Sequence, residues 1–206
     1  MAIAAASEWV RRWTHLVPRD GTVLDVACGS GRHVRWFAQR GHPVVALDRD
    51  AQALAALAEW PKVRIVHADL EPDEDSAAWP FEAHQRFAAV VVTQYLHRPL
   101  FDDLTEALAS GGVLLYETFA QGHETLGRPS NPRFLLRAGE LLEVARHAAL
   151  RVVAFEDGFI AGSKPAFVQR LCAVRESHGD VRGRETGSYD GPARYDLLDQ
   201  SATISV

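Results

Sequence analysis

The sequence is short of basic charge, of sulfur and of long hydrophobic runs, and each shortage narrows what the chain can be. In 206 residues, 22 Lys and Arg stand against 27 Asp and Glu, a formal net charge of −5. No basic field therefore draws nucleic acid to the surface, although arginine far outnumbers lysine and leaves room for a local basic groove. There are two cysteines, Cys28 and Cys172, and none of the nine histidines joins them at metal-ligand spacing, so no metal site is expected. No apolar run approaches the length needed to cross a membrane. The start, Met1 to Ser7, lacks the basic residues and long apolar core of a signal peptide, which predicts a cytoplasmic chain. Repeats are absent, and so are low-complexity tracts apart from the alanine-rich start. What is present is a hydrophobic share of 47%, enough to build the core of one α/β domain.

One stretch carries most of the information: Val23-Leu24-Asp25-Val26-Ala27-Cys28-Gly29-Ser30-Gly31-Arg32-His33. An apolar run holding a single aspartate breaks at Gly-x-Gly and passes into an amphipathic segment with Val34, Trp36 and Phe37. A strand that ends in a glycine loop and opens a helix brings bare backbone close to a ligand. The next apolar run, Val44 to Leu47, ends in Asp48, where a carboxylate can accept two hydrogen bonds from ribose hydroxyls. The pattern predicts an adenosine-containing cofactor.

The dinucleotide fingerprint wants a third glycine where this chain has Val34. Asp25 also argues against a dinucleotide, since an acid inside a strand is costly to bury unless it meets a positive group. The α-ammonium of a methionine moiety would be such a group. The blander reading of Asp25 is a strand-end acid satisfied by loop N–H groups, and that of Asp48 is an N-cap of the following helix. A third run, Val63 to His67, leads into Ala68-Asp69-Leu70, at the right distance to reach an adenine amino group.

These three elements together resemble the class I S-adenosylmethionine-dependent methyltransferases, over about residues 20 to 175. The short glycine loop with Arg32-His33, and a helix ending Arg40-Gly41-His42, resemble the tellurite-resistance methyltransferase-like branch. The resemblance implies S-adenosylmethionine as cofactor, held by Asp25, Ala27, Cys28, Gly29, Gly31, Asp48, Arg49, Asp69, Leu70 and Gln94. It implies that the end of the fourth strand, Thr93 to His97, faces the transferable methyl. Members that methylate amines of DNA bases or glutamine carry Asn/Asp-Pro-Pro-aromatic there; Gln94-Tyr95-Leu96-His97 does not match. The implied sheet order puts the strands of Cys28 and Cys172 several positions apart, beyond disulfide reach.

The expected fold is a Rossmann-like, doubly wound α/β sandwich with a seven-stranded, mostly parallel sheet, an antiparallel last strand and helices on both faces. Ser7 is expected to cap a helix over 8–17, which could serve as a lid. Strands are expected at 22–27, 43–48, 62–67, 87–93, 112–118, 150–156 and 167–174, and helices at 31–40, 50–60, 98–109 and 138–148. Glu71 to Pro80 reads as a loop or a poor helix, and Asn131 to Phe134 as a turn. The domain is expected over 1–175, followed by a polar tail, 176–206, from which Tyr195, Leu197 and Leu198 could dock.

Glu117 to Pro132 reads as a long polar loop with Gly and Pro hinges, where a substrate lid belongs. Its Glu117, His123 and Arg128, with Tyr95 and His97, are the candidate substrate residues; Glu124 is a further titratable member. For each, a solvated and mutually paired surface group is the competing reading. Methyl transfer needs no dedicated catalytic residue, because the cofactor already activates the carbon and the protein mainly aligns the nucleophile. The expected function is methyl transfer to a small-molecule nucleophile. The alternatives are a non-catalytic S-adenosylmethionine-binding partner or sensor, an RNA methyltransferase, and a nicotinamide-dependent oxidoreductase.

Overall fold

The computed structural model describes residues 4–73, 75–177 and 193–197. Seven strands form one sheet: β1 (Val23–Val26), β2 (Val44–Asp48), β3 (Val63–His67), β4 (Phe87–Thr93), β5 (Leu108–Phe119), β6 (Arg151–Ile160) and β7 (Ala166–Val174). Their order is β3-β2-β1-β4-β5-β7-β6, with β7 antiparallel to both neighbours and the other pairings parallel. The chain steps outward from β1 to β3, then returns to lay β4 on the other side of β1. The crevice at the carboxyl ends of β1 and β4 is therefore the switch point, where open α/β sheets bind ligands.

The largely apolar strands β1, β2 and β4 are buried on both faces, as a covered parallel sheet requires. Leu24, Val26, Val90, Val92 and Tyr116 face one layer, with α4 (Phe101–Glu106) and α5 (Glu140–His147). Val23, Ala89, Val91 and Leu115 face the other, with α1 (Glu8–Trp13), α2 (Arg32–Ala38) and α3 (Ala51–Ala55).

Ser7 caps α1 as expected, its Oγ accepting from the Val10 N–H, and a 3₁₀ turn extends the helix to Leu16. The Trp9 indole donates to the Leu171 carbonyl of β7, tying the start of the chain to its last strand. α3 is shorter than expected, because its apolar face ends at Leu54 and Leu57 and the rest is exposed. β5 starts four residues earlier than expected, at Leu108, and runs to Phe119. It crosses the start of β4 so closely that a Cβ on Gly112 would lie 2.9 Å from the Phe87 carbonyl oxygen. β6 extends to Ile160 by pairing with β7 as a hairpin. Tyr195 packs partly buried beside Glu176 and Leu197 is exposed; Leu198 lies outside the described residues.

Candidate active site

The glycine loop leaves β1 through three left-handed residues, Ala27 (φ +51), Gly29 (φ +52) and Gly31 (φ +76). Their positive φ turns the backbone back on itself, a conformation glycine adopts at little cost. The two glycines do different work. A Cβ on Gly29 would meet nothing within 4 Å, whereas one on Gly31 would sit 2.5 Å from Leu57 Cδ2. Gly29 stands over open space and Gly31 lets α2 pack on the core.

Asp48 holds the loop in place. Its Oδ2 accepts from the Gly29 N–H at 2.7 Å and its Oδ1 from the Asp50 N–H at 2.8 Å. Asp50, not Asp48, caps α3. Each Asp48 oxygen keeps a lone pair for a hydroxyl. Ala27, Asp48, Arg49, Asp69 and Leu70 come together around a cleft of about 200 Å³, with Glu71 and Tyr95 as its further wall. Asp69 accepts from the Glu71 N–H, which orders the turn after β3.

Asp25 lies under the loop, 1% exposed, and its Oδ2 has no hydrogen-bond partner. Burial pushes its carboxyl up to about 7, with the Asp48 charge adding and the Val34 N–H and Arg32 opposing. His33 Nδ1 is 3.9 Å from Asp25 Oδ1, and its Nε2 accepts the Ser7 N–H, so the ring is neutral. Burial and the nearby Arg32 push the imidazole down to about 3. A buried acid with an idle oxygen suits an ammonium group. Cys28 packs in the core below the loop, its thiol raised by burial and by the Asp25 and Asp48 charges, which makes it inert. Cys28 and Cys172 are both free.

Gln94 departs from expectation. It bends the chain at φ +55 after β4, its side chain is exposed, and it lines a second cavity rather than the first. That cavity, about 210 Å³, is walled by Leu96, Thr118, Phe119, Pro129 and Phe134, and shares Glu71 and Tyr95 with the first. The Tyr116 hydroxyl donates to the Tyr95 carbonyl at 3.0 Å and fixes that residue. A larger hollow, about 480 Å³, opens beside it between the 71–75 turn and residues 131–134.

The other candidates scatter. Glu117 is not in a loop: β5 carries it, it is 9% exposed, and it pairs with Arg170 at 2.7 Å. Cross-strand pairing with β7 kept this segment extended where its polarity suggested a loop. His97 is buried in the wall of the larger hollow, bonded through Nε2 to the Ser76 carbonyl. His123 is buried and stacked on Phe119 at 4.1 Å, with Nε2 bonded to the Arg128 carbonyl, while Arg128 itself is exposed. Residues 131–134 form the expected turn, capped by Asn131. Sequence reasoning missed Glu71, which lines all three hollows; inside an acidic, polar stretch nothing set it apart. Among the described residues no group of three or more metal-ligating side chains occurs, and no helix is long and apolar enough to cross a membrane.

Residues 23–112, which carry the glycine loop, Asp48, Asp69 and β4, match the family described as a methyltransferase domain. Over that stretch, somewhat less than half of its length, the chain is similar to methyltransferases. Solved structures of similar fold include a TehB-like SAM-dependent methyltransferase from Corynebacterium glutamicum, 21% identical, with TM-score 0.55 over 82% of this chain and 87% of that one. TehB from Haemophilus influenzae is 17% identical, with TM-score 0.66 over 85% of this chain and 64% of that one. The glycopeptide N-methyltransferase MtfA, complexed with the S-adenosylmethionine analogue sinefungin, is 22% identical, with TM-score 0.55 over 82% of this chain and 92% of that one. At these identities the likeness is one of fold. No curated protein matches the sequence. The unpartnered Asp25 oxygen, the open space at Gly29 and the free lone pairs of Asp48 all fit S-adenosylmethionine.

Proposed function

We propose that this chain is an S-adenosylmethionine-dependent methyltransferase that acts on a small molecule enclosed between the end of β4 and the segment after β5. The observation that carries the reading is the second cavity, whose volume of about 210 Å³ suits one small acceptor and which adjoins the Asp48 cleft through Tyr95. The net charge of −5 gives no attraction for a polyanion. In this reading Asp48 accepts from the ribose hydroxyls, Asp69 and Leu70 border the adenine, and Arg49 flanks them. Asp25, with the loop of Ala27, Cys28, Gly29 and Gly31, receives the methionine end. When bound, the cofactor supplies a methyl group on a positive sulfur, a carbon already open to in-line attack. The protein's own part is alignment and the exclusion of water, which would misplace the nucleophile. Gln94 and Tyr95 border the reacting end, and the 120–134 segment covers the acceptor. Arg128, exposed and next in sequence to Pro129 of the cavity wall, is the natural partner for an anionic group on the acceptor.

The test is a product-release assay with halides, thiols, phenols, amines and bulk tRNA as acceptors. Turnover of at least one small acceptor is expected. For an anionic one, Arg128→Ala should raise KM several-fold while S-adenosylhomocysteine affinity stays unchanged. Labelling of tRNA alone would overturn the reading.

A further inference from the structure

We propose that Glu71, working with the Tyr95 hydroxyl, takes the proton that the acceptor loses, so that the substrate is an apolar molecule bearing an O–H, N–H or S–H nucleophile. The proposal rests on the small-molecule reading above. Glu71 and Tyr95 are the two residues common to the Asp48 cleft and the acceptor cavity, so they stand on the boundary between the cofactor's nucleoside and the acceptor. The rest of that cavity is Leu96, Phe119, Pro129 and Phe134, with the Thr118 hydroxyl and the Gln94 amide. None of those six holds a proton acceptor that works near neutrality. His123 stacks on Phe119 but does not line the cavity.

Tyr95 cannot be the final base. Burial first, and then the nearby Glu71 carboxylate, hold the phenol well above its ordinary value and keep it protonated. A phenol whose hydrogen points at a carboxylate still offers its oxygen lone pair to the cavity. The carboxylate fixes that orientation as the third group of a catalytic triad does. In the transfer, the acceptor's X–H bond breaks and the X–CH₃ bond forms as the S–CH₃ bond breaks. The electron pair of that last bond stays on sulfur. The released proton passes to Glu71, directly or by moving to the Tyr95 oxygen as the phenol gives its own to Glu71. Glu71 is half-buried and also borders the larger hollow, through which the proton can leave to solvent. The apolar remainder of the cavity selects the body of the substrate.

The experiment compares wild type, Glu71→Gln and Tyr95→Phe. Probes are catechol, phenol and 2-aminophenol, against iodide and thiocyanate, which have no proton to lose. S-adenosylhomocysteine affinity, measured by calorimetry, checks that each variant is folded and loaded. Wild type should methylate a phenolic probe. Glu71→Gln should lose about a hundredfold in kcat, with S-adenosylhomocysteine affinity within threefold. Tyr95→Phe should lose roughly tenfold or more, and Glu71→Asp should restore part of the loss. Turnover of iodide or thiocyanate alone would overturn this proposal and leave the small-molecule reading standing. No turnover of any phenolic probe, an unchanged kcat in Glu71→Gln, or a loss of kcat matched by a loss of cofactor affinity would each overturn it too.

Discussion

Asp25 and His33 are two buried groups whose proton affinities are displaced in opposite directions. The carboxyl is raised from 3.8 to about 7 and the imidazole lowered from 6.5 to about 3. Between about pH 4 and 6.5 the unfolded chain holds its proton on His33 and the folded one on Asp25. Folding then moves a proton within the pair and takes none from solvent, so this pair contributes no pH slope to stability there. Removing one partner should uncover the other. In His33→Asn, the remaining Asp25 binds its proton more tightly when folded, so the melting temperature should fall as pH rises from about 4 to about 7. In Asp25→Asn, the remaining His33 is held neutral when folded, so it should fall instead as pH drops from about 6.5 toward 3. Melting curves in a pH series check this, and slopes of the same sign in both variants would refute the assignment. The aspartate was legible in the sequence because an acid interrupts an apolar run. The histidine was not, since its role depends on a backbone N–H 26 residues away.

Elements built by continuous apolar runs were legible almost to the residue: β4 lies at the expected 87–93, and α1 has the expected cap. Errors came where a partner strand decided the outcome. Glu117 reads as a loop acid until Arg170 is placed opposite it, and Leu108 reads as helix until Phe87 pairs with it. The glycine loop looked uniform, yet its two glycines should fail differently. Gly31→Val should unfold the protein or lower its melting temperature sharply, because its side chain would enter the Leu57 site. Gly29→Ala has room and should stay folded with a native circular dichroism spectrum, although its positive φ carries some strain. It should nonetheless weaken S-adenosylhomocysteine binding at least tenfold. Tight binding by a folded Gly29→Ala would place the cofactor elsewhere.

For the whole molecule, cofactor binding should act as a stabilising load. Saturating S-adenosylhomocysteine at a hundred times its Kd adds about 2.7 kcal/mol, or several degrees in melting temperature. If Asp48 accepts from the ribose hydroxyls, Asp48→Ala should cost tenfold or more in affinity, so about half of that rise or more should vanish at the same ligand concentration. An unchanged rise would exclude Asp48 as the ribose partner. The seven-stranded, mostly parallel sheet and the likeness to methyltransferases were both legible, because three short motifs at strand ends fix a crevice. The acceptor side was less so, since its walls come from segments far apart in sequence. The same long reach governs how the protein is made. The indole of Trp9 finds its carbonyl at Leu171, and β7 must wedge between β5 and β6 before either has its full set of partners. A ribosome needs roughly ten to thirty seconds to travel those 162 residues. From the end of β5 to the start of β7 one edge of β5 has no partner strand, and the nascent chain must be shielded from its neighbours until that strand emerges.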